Sequence, residues 1–296
     1  MVLKDDIRIG FLPREGFENA EPEAIYRDLS AIGYEAVEWS RHHFNPRRKS
    51  PAGLRRLVEM AADFNMAVSN IFVALDYITR DEAVAADHIA LTQECIEAAA
   101  EVGVHVINAH PGPQRWEPNH IRIPQDMSEG AAWDMAFHAF DQLVPVAEKH
   151  RVYMAIEGVW GMLTHDYYST LPLMNRYESE YMAITMDPSH GNLWRNDIPW
   201  VVRQWNKRIK HAHLKDSVGT PGYDGESFIF PLLGEGQVDW PGYFSAMREI
   251  GYSGYYIVEF ESFYYWEKVL QGDMLQAARL SWDALQAILV NIEDNV

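Results

Sequence analysis

The chain contains a single cysteine, Cys95, which excludes an internal disulfide framework and suits a reducing compartment. Positive charge is also scarce. Lys and Arg number 25 against 43 Asp and Glu, for a formal net charge of −18. Such a surface repels phosphate backbones and anionic membranes, so neither nucleic acid nor a membrane is expected as a partner. No apolar run approaches transmembrane length, and the opening MVLKDDIRIG has no apolar signal core. The expected location is therefore cytoplasmic. A GxGxxG turn is missing after the first apolar run, which counts against a dinucleotide-binding doubly wound sheet, the second-choice fold. No Ser/Gly/Pro-rich linker divides the 296 residues, so a single domain spanning 1–296 is expected.

Short β-rich runs alternate with longer stretches of helical period. IRIGFL (7–12) precedes a helix near 22–32, and AVEWS (36–40) precedes one near 51–64, with Ser50 as N-cap and Pro51 at its first position. MAVSNIFV (66–73) leads to Thr79-Arg80-Asp81-Glu82, which has the spacing of a capping box opening a helix to about Val102. HVINAH (105–110) is followed by a Pro-rich loop and a helix from about Ser128 to His150. VYMAIE, AITMD, IKHAHL and YYIVEF each begin another unit, with the last helix near 272–290. Eight strand–helix units in a chain of this length predict an α/β fold, a single (β/α)₈ TIM barrel.

In such a barrel the C-terminal strand ends converge on one face. Glu157, Asp187, His213 and Glu259 occupy those ends on the fifth to eighth predicted strands, so they are expected to surround one point. Three carboxylates and an imidazole suit a divalent cation with oxygen and nitrogen ligands. Each residue also has a plainer explanation. Glu157 reads equally as a strand-end ion-pair partner, and Asp187 as a turn residue before Pro188. His211 and His213 point to the same side by strand alternation, as do Glu259 and Glu261, so parity alone does not choose within either pair. The residue nearer the strand interior is the better candidate in VEFES. The coincidence of all four at matching strand ends favours the metal reading.

AHPG (109–112), IEG (156–158), MDPSHGN (186–192), HAHLKD (211–216), LGEGQVDW (233–240) and GYSGYYIVEFE (251–261) resemble the sugar phosphate isomerase/epimerase family, with its xylose-isomerase-like barrel. That family includes ketose 3-epimerases and inosose dehydratases. The resemblance implies one divalent cation, Mn²⁺ in the first instance with Mg²⁺, Co²⁺ or Zn²⁺ as alternatives, held by Glu157, Asp187, His213 and Glu259. It favours the second histidine of HAHLKD and the first glutamate of VEFE. It also places His190 at substrate oxygen near the metal, while Lys215 and Asp216 match the HLKD signature.

The expected chemistry is isomerisation or epimerisation of a keto-sugar or related polyol through a metal-stabilised enediolate, with Glu157 and Glu259 exchanging the proton. His110 joins the rim as a further acid, base or hydroxyl ligand, unless it merely caps the Pro-Gly turn that follows. Trp160 and Trp194 follow metal-bearing strands and are expected to line the pocket with Lys215. Tyr223, Phe228, Phe230 and Phe263 through Trp266 form a wider aromatic group that serves equally well as core or interface. Phosphate recognition is not evident: GTPG (219–222) and GEG (234–236) have no basic cluster beside them. Three alternatives are kept. One is a lyase or dehydratase acting on a keto-glycoside or keto-cyclitol. Another is a zinc AP endonuclease, disfavoured by charge and by missing histidines. The last is a non-enzymatic partner subunit. Self-association is left open by the aromatic content.

Overall fold

The computed structural model describes residues 7–14, 16–48, 51–117, 120–222 and 226–294. Eight parallel strands close into a barrel: β1 Arg8–Phe11, β2 Ala36–Ser40, β3 Ala67–Phe72, β4 Val106–Ala109, β5 Tyr153–Glu157, β6 Met182–Met186, β7 Ile209–Leu214 and β10 Tyr255–Val258. Closure is direct, since β1 pairs with β10 from Arg8↔Tyr255 to Phe11↔Val258. The open doubly wound sheet is thereby excluded. The helices are α1 Pro22–Ile32, α2 Pro51–Asp63, α3 Glu82–Glu101, α4 Glu129–His150, α5 Tyr167–Arg176, α6 Pro188–Leu193, α7 Ile198–Trp205, α8 Trp240–Glu249 and α9 Met274–Asp294. A two-stranded antiparallel hairpin, β8 Val218–Pro221 with β9 Glu226–Ile229, interrupts the passage from β7 to α8. No helix among the described residues is long and apolar enough to cross a membrane.

Two helix starts show how local sequence sets the frame. Ser128 caps α4 by accepting from the Ala131 amide, as expected. The Thr79/Glu82 capping box does not form. Asp81 is the N-cap and accepts from the Ala83 and Val84 amides, while the Thr79 hydroxyl accepts from the Asp81 amide. A carboxylate two residues later is the stronger acceptor, and it starts the helix there. Pro51 begins α2 as read from the sequence, whereas Ser50 lies outside the described residues.

Polar side chains gather inside the barrel beside a small apolar cluster of Leu12, Ala36 and Ile257, and this fixes the site. Val37, Trp39, Ile71, Ile107 and Ile156 are buried in the main apolar cluster. The alternating positions Glu38, Asn70, Asn108 and Glu157 are buried polar groups. Glu38 on β2 bonds His211 on β7, and Asn108 on β4 bonds Thr185 on β6. Neither pair of strands is adjacent, so these bonds cross the lumen.

Candidate metal centre and active site

Glu157 is the last residue of β5, Asp187 directly follows β6, His213 is in β7, and Glu259 directly follows β10. All four are buried, and one ligand-type atom from each lies within 4.8 Å of the others. The structure therefore brings together the four residues expected from sequence. Depth separates the paired candidates that parity left equal. His213 Nδ1 lies 3.1 Å from Glu157 Oε1 and 3.4 Å from Glu259 Oε2. His211, one step deeper, has its Nε2 2.9 Å from Glu38 Oε2 instead. Glu261 stands nearer the rim, bonding Lys215 through Oε2 at 3.0 Å.

Neighbouring groups hold these side chains from behind. The Asn108 amide donates to Glu157 Oε2 at 3.0 Å, leaving Oε1 toward His213. Asp187 Oδ1 accepts from the Ser189 amide as the N-cap of α6, so the short turn after β6 orients the carboxylate. Arg14, past β1, donates to Glu259 Oε1 at 2.9 Å. Glu38 accepts from Asn70 on Oε1 at 2.7 Å and from both His211 and His213 on Oε2 at 2.9 Å. Burial works against the charge of Glu38, yet the two imidazoles hold it down to about 2. With Nε2 of His213 bonded to Glu38, Nδ1 is the ring nitrogen that faces the carboxylates. Sequence reading missed Glu38 and Arg14. A lone acid within the apolar AVEWS run was the available signal for Glu38.

The cluster concentrates negative charge, which nearby cationic groups offset. The Lys215 ammonium lies 3.0 Å from Asp187 Oδ2 and 2.5 Å from Glu259 Oε2, beside two of the four clustered side chains. Burial opposes its charge, but Asp187, Glu259 and Glu261 hold it well above the ordinary lysine value. His213 is likewise held well above the usual imidazole range: burial opposes this, and Glu38, Glu157 and Glu259 outweigh it. Three carboxylate oxygens and one imidazole nitrogen from four strands fit a divalent ion. Such an ion has to displace the His213 proton. Affinity for Mn²⁺ is therefore expected to climb with pH, about tenfold per unit while the imidazolium persists, and to level off once pH passes its raised value. Calorimetric Mn²⁺ titration across pH would show this, and a flat profile would remove His213 from the ligand set. Glu38→Gln is expected to weaken Mn²⁺ binding about 10–100-fold by disturbing the imidazole behind the site, measured by the same titration.

Glu157, Glu259, Glu261 and Lys215 line a cavity of about 1060 Å³. His190 stands on α6 with its Nε2 3.2 Å from Lys215 Nζ and 3.4 Å from Asp187 Oδ2. Burial, then the Lys215 ammonium, pushes His190 down to about 3. His110 lines the same cavity, and burial pushes it down to about 4. Neither of its ring nitrogens finds a partner among the described residues, so it does not cap the Pro-Gly turn. Trp160 forms part of the wall and meets Phe228 edge-on at 4.8 Å. Phe230, Phe263, Tyr264 and Tyr265 also line the cavity, as do Phe72 and Trp116, which the sequence reading did not single out. Trp194 lies elsewhere. Following α6, it is 40% exposed and packs on His165 at 4.5 Å, outside the cavity wall. Tyr223 falls outside the described residues.

Asp216 has a structural role that explains HLKD and LGEGQVDW together. Its Oδ1 accepts from the Ser217 and Val238 amides, and its Oδ2 from the Gly234 and Gly236 amides and the Trp240 indole. A Cβ at Gly236 would lie 2.1 Å from Asp216 Oδ1, so only glycine lets the loop close on the carboxylate. The GEG amides are thus spent inside the protein and do not bind phosphate.

Residues 26–280 match the xylose isomerase-like TIM barrel model. The chain belongs to that family. It is 26% identical over 185 residues to a putative L-ribulose-5-phosphate 3-epimerase of Escherichia coli, the match spanning 61% of this chain and 60% of that one. The fold is shared with D-psicose 3-epimerase of Clostridium cellulolyticum, at TM-score 0.75 and 14% identity over 96% of this chain and 99% of the other. It is shared also with a zinc-containing IolI protein, at TM-score 0.73 and 18% identity over 97% and 98%.

Proposed function

We propose that this chain is an isomerase or epimerase of a keto-sugar or related polyol, using one divalent cation held by Glu157, Asp187, His213 and Glu259. The observation that carries the reading is the meeting of those four side chains within 4.8 Å, with Glu157 and Glu259 opening onto a cavity large enough for a sugar. The epimerase names among its relatives support it. Oxygen-rich ligands favour Mn²⁺, with Mg²⁺, Co²⁺ and Zn²⁺ as alternatives. When bound, the cation supplies Lewis-acid polarisation to a substrate carbonyl, acidifying the neighbouring C–H.

The chain's own groups then move the proton. Glu157, steadied by Asn108, and Glu259, steadied by Arg14, approach the centre from β5 and β10, with β6 and β7 between them. One removes a proton from the substrate carbon and the other returns it. Return to the opposite face of that carbon inverts the centre, and return to the adjoining carbon shifts the carbonyl. His190 and His110, neutral near pH 7, offer hydrogen bonds to substrate oxygens, and Lys215 balances the carboxylates. Trp160 walls the sugar site.

Elimination from a keto-glycoside or keto-cyclitol is the second reading. A volume of about 1060 Å³ and the aromatic rim favour a substrate larger than one sugar ring. Incubating keto-sugars with the Mn²⁺-loaded protein in D₂O should place deuterium at the carbon beside the carbonyl. Keto-glycosides tested in parallel would release aglycone if elimination is the reaction. No exchange and no release across both substrate sets would defeat both readings.

A further inference from the structure

Cations on the metal side of the cavity are already paired: Lys215 with Asp187 and Glu259, Arg14 with Glu259. The wall formed past β2, β3 and β4 differs. Arg41 directly follows β2, lines the cavity, and makes no ion pair among the described residues. Its Nε donates to the Val73 carbonyl and its Nη2 to the Ala74 carbonyl at 3.0 Å, which anchors the guanidinium to the chain just past β3. Ala74 adopts φ 36°, a left-handed conformation unfavourable for a residue with a Cβ, at the point where that anchoring carbonyl is presented. Nη1 has no hydrogen-bond partner among the described residues. On the same cavity Gln114 is 6% exposed with its Nε2 unpaired, and His110 is 1% exposed with both ring nitrogens unpaired. Buried donors lacking acceptors are costly, and native proteins seldom gather them on one surface without a ligand that satisfies them. Glu117 shares this wall but is exposed and forms no ion pair with Arg41.

We infer that Arg41, Gln114 and His110 form an anion-recognising wall that receives a phosphate or carboxylate at the end of the substrate remote from the reacting carbons. This rests on the cavity being the sugar site proposed above. A planar guanidinium with two backbone anchors has its remaining N–H groups fixed in direction, which suits the paired oxygens of either anion. The neutral amide and imidazole add donors without adding charge. Sequence gave no sign of such a site, because Arg41 has no basic neighbour at cluster spacing on the cavity and the three residues follow different strands.

The test is calorimetric binding of D-fructose, D-fructose 6-phosphate and 5-keto-D-gluconate to the Mn²⁺-loaded protein, with Arg41→Gln and Gln114→Ala as variants. At least one anionic sugar should bind tenfold or more tightly than D-fructose, and the tighter of the two identifies phosphate or carboxylate. That advantage should vanish in Arg41→Gln and shrink several-fold in Gln114→Ala, which keeps the question open to refutation if Arg41→Gln fails to fold. Equal affinity for all three sugars overturns the inference. So does an anion advantage that survives both substitutions, since the ion would then be held by the metal alone. A separate Mn²⁺ titration and the deuterium exchange above read the metal centre independently, so failure of the anion wall is distinguishable from failure of the proposed activity.

Discussion

Glu157→Gln and Glu259→Gln should each lower turnover of the true substrate by at least ~10²–10⁴-fold, the range for losing a positioned acid or base. The amide keeps nearly the shape of the carboxylate, so Asn108 still has an acceptor behind position 157 and Arg14 one behind position 259. Each residue is also a candidate metal ligand, and loss of metal has to be separated from loss of proton transfer. Steady-state rates at saturating Mn²⁺, with metal content measured on the same samples, make that separation. The two variants should further differ in kind. If one group removes the proton and the other returns it, the variant lacking only the returning group retains solvent exchange at the substrate carbon while losing net conversion. Near-normal conversion by both would rule out the two-carboxylate scheme, and uniform loss explained wholly by missing metal would leave both as ligands only.

Asp216→Ala should destabilise the fold by about 3–5 kcal/mol, read as a shift in the urea midpoint at unchanged slope. The carboxylate serves five N–H donors, four from the backbone and one from an indole. Each donor stranded without an acceptor costs about 1–3 kcal/mol, and water entering the loop recovers part of the total. Asp216→Asn retains one oxygen acceptor and should fall between the two. A change below about 1 kcal/mol for the alanine variant would mean that the loop before α8 closes without this anchor.

Much of the frame was legible because apolar runs and helical stretches alternate eight times, and a barrel places strand ends on one face. That logic alone leads to Glu157, to Asp187 and to the pairs His211/His213 and Glu259/Glu261, while the family resemblance favours His213 and Glu259 within them. Period-two alternation reports which face a side chain takes but not how deep it lies, so His211 and His213 were equivalent until the bonds to Glu38 and Glu157 separated them. Glu38 was passed over because one carboxylate in AVEWS carries no spacing signal, although it supports the imidazole of the site. Arg41, Gln114 and Trp116 are in loops, where no periodicity predicts position. Trp194 was misplaced for a geometric reason. The six-residue helix α6 follows Asp187, and at about 1.5 Å per residue it carries the chain roughly 9 Å before the indole emerges.

The hairpin of β8 and β9 forms a sheet of its own and shares no ladder with the eight barrel strands. Phe228 and Phe230 nevertheless hang from it over Trp160 and His190. The roof of the cavity is thus a separable module whose replacement leaves the closure of the staves untouched. A different ligand can be accommodated there by exchanging about a dozen residues, with Glu157, Asp187, His213, Glu259 and the eight strands that carry them inherited intact.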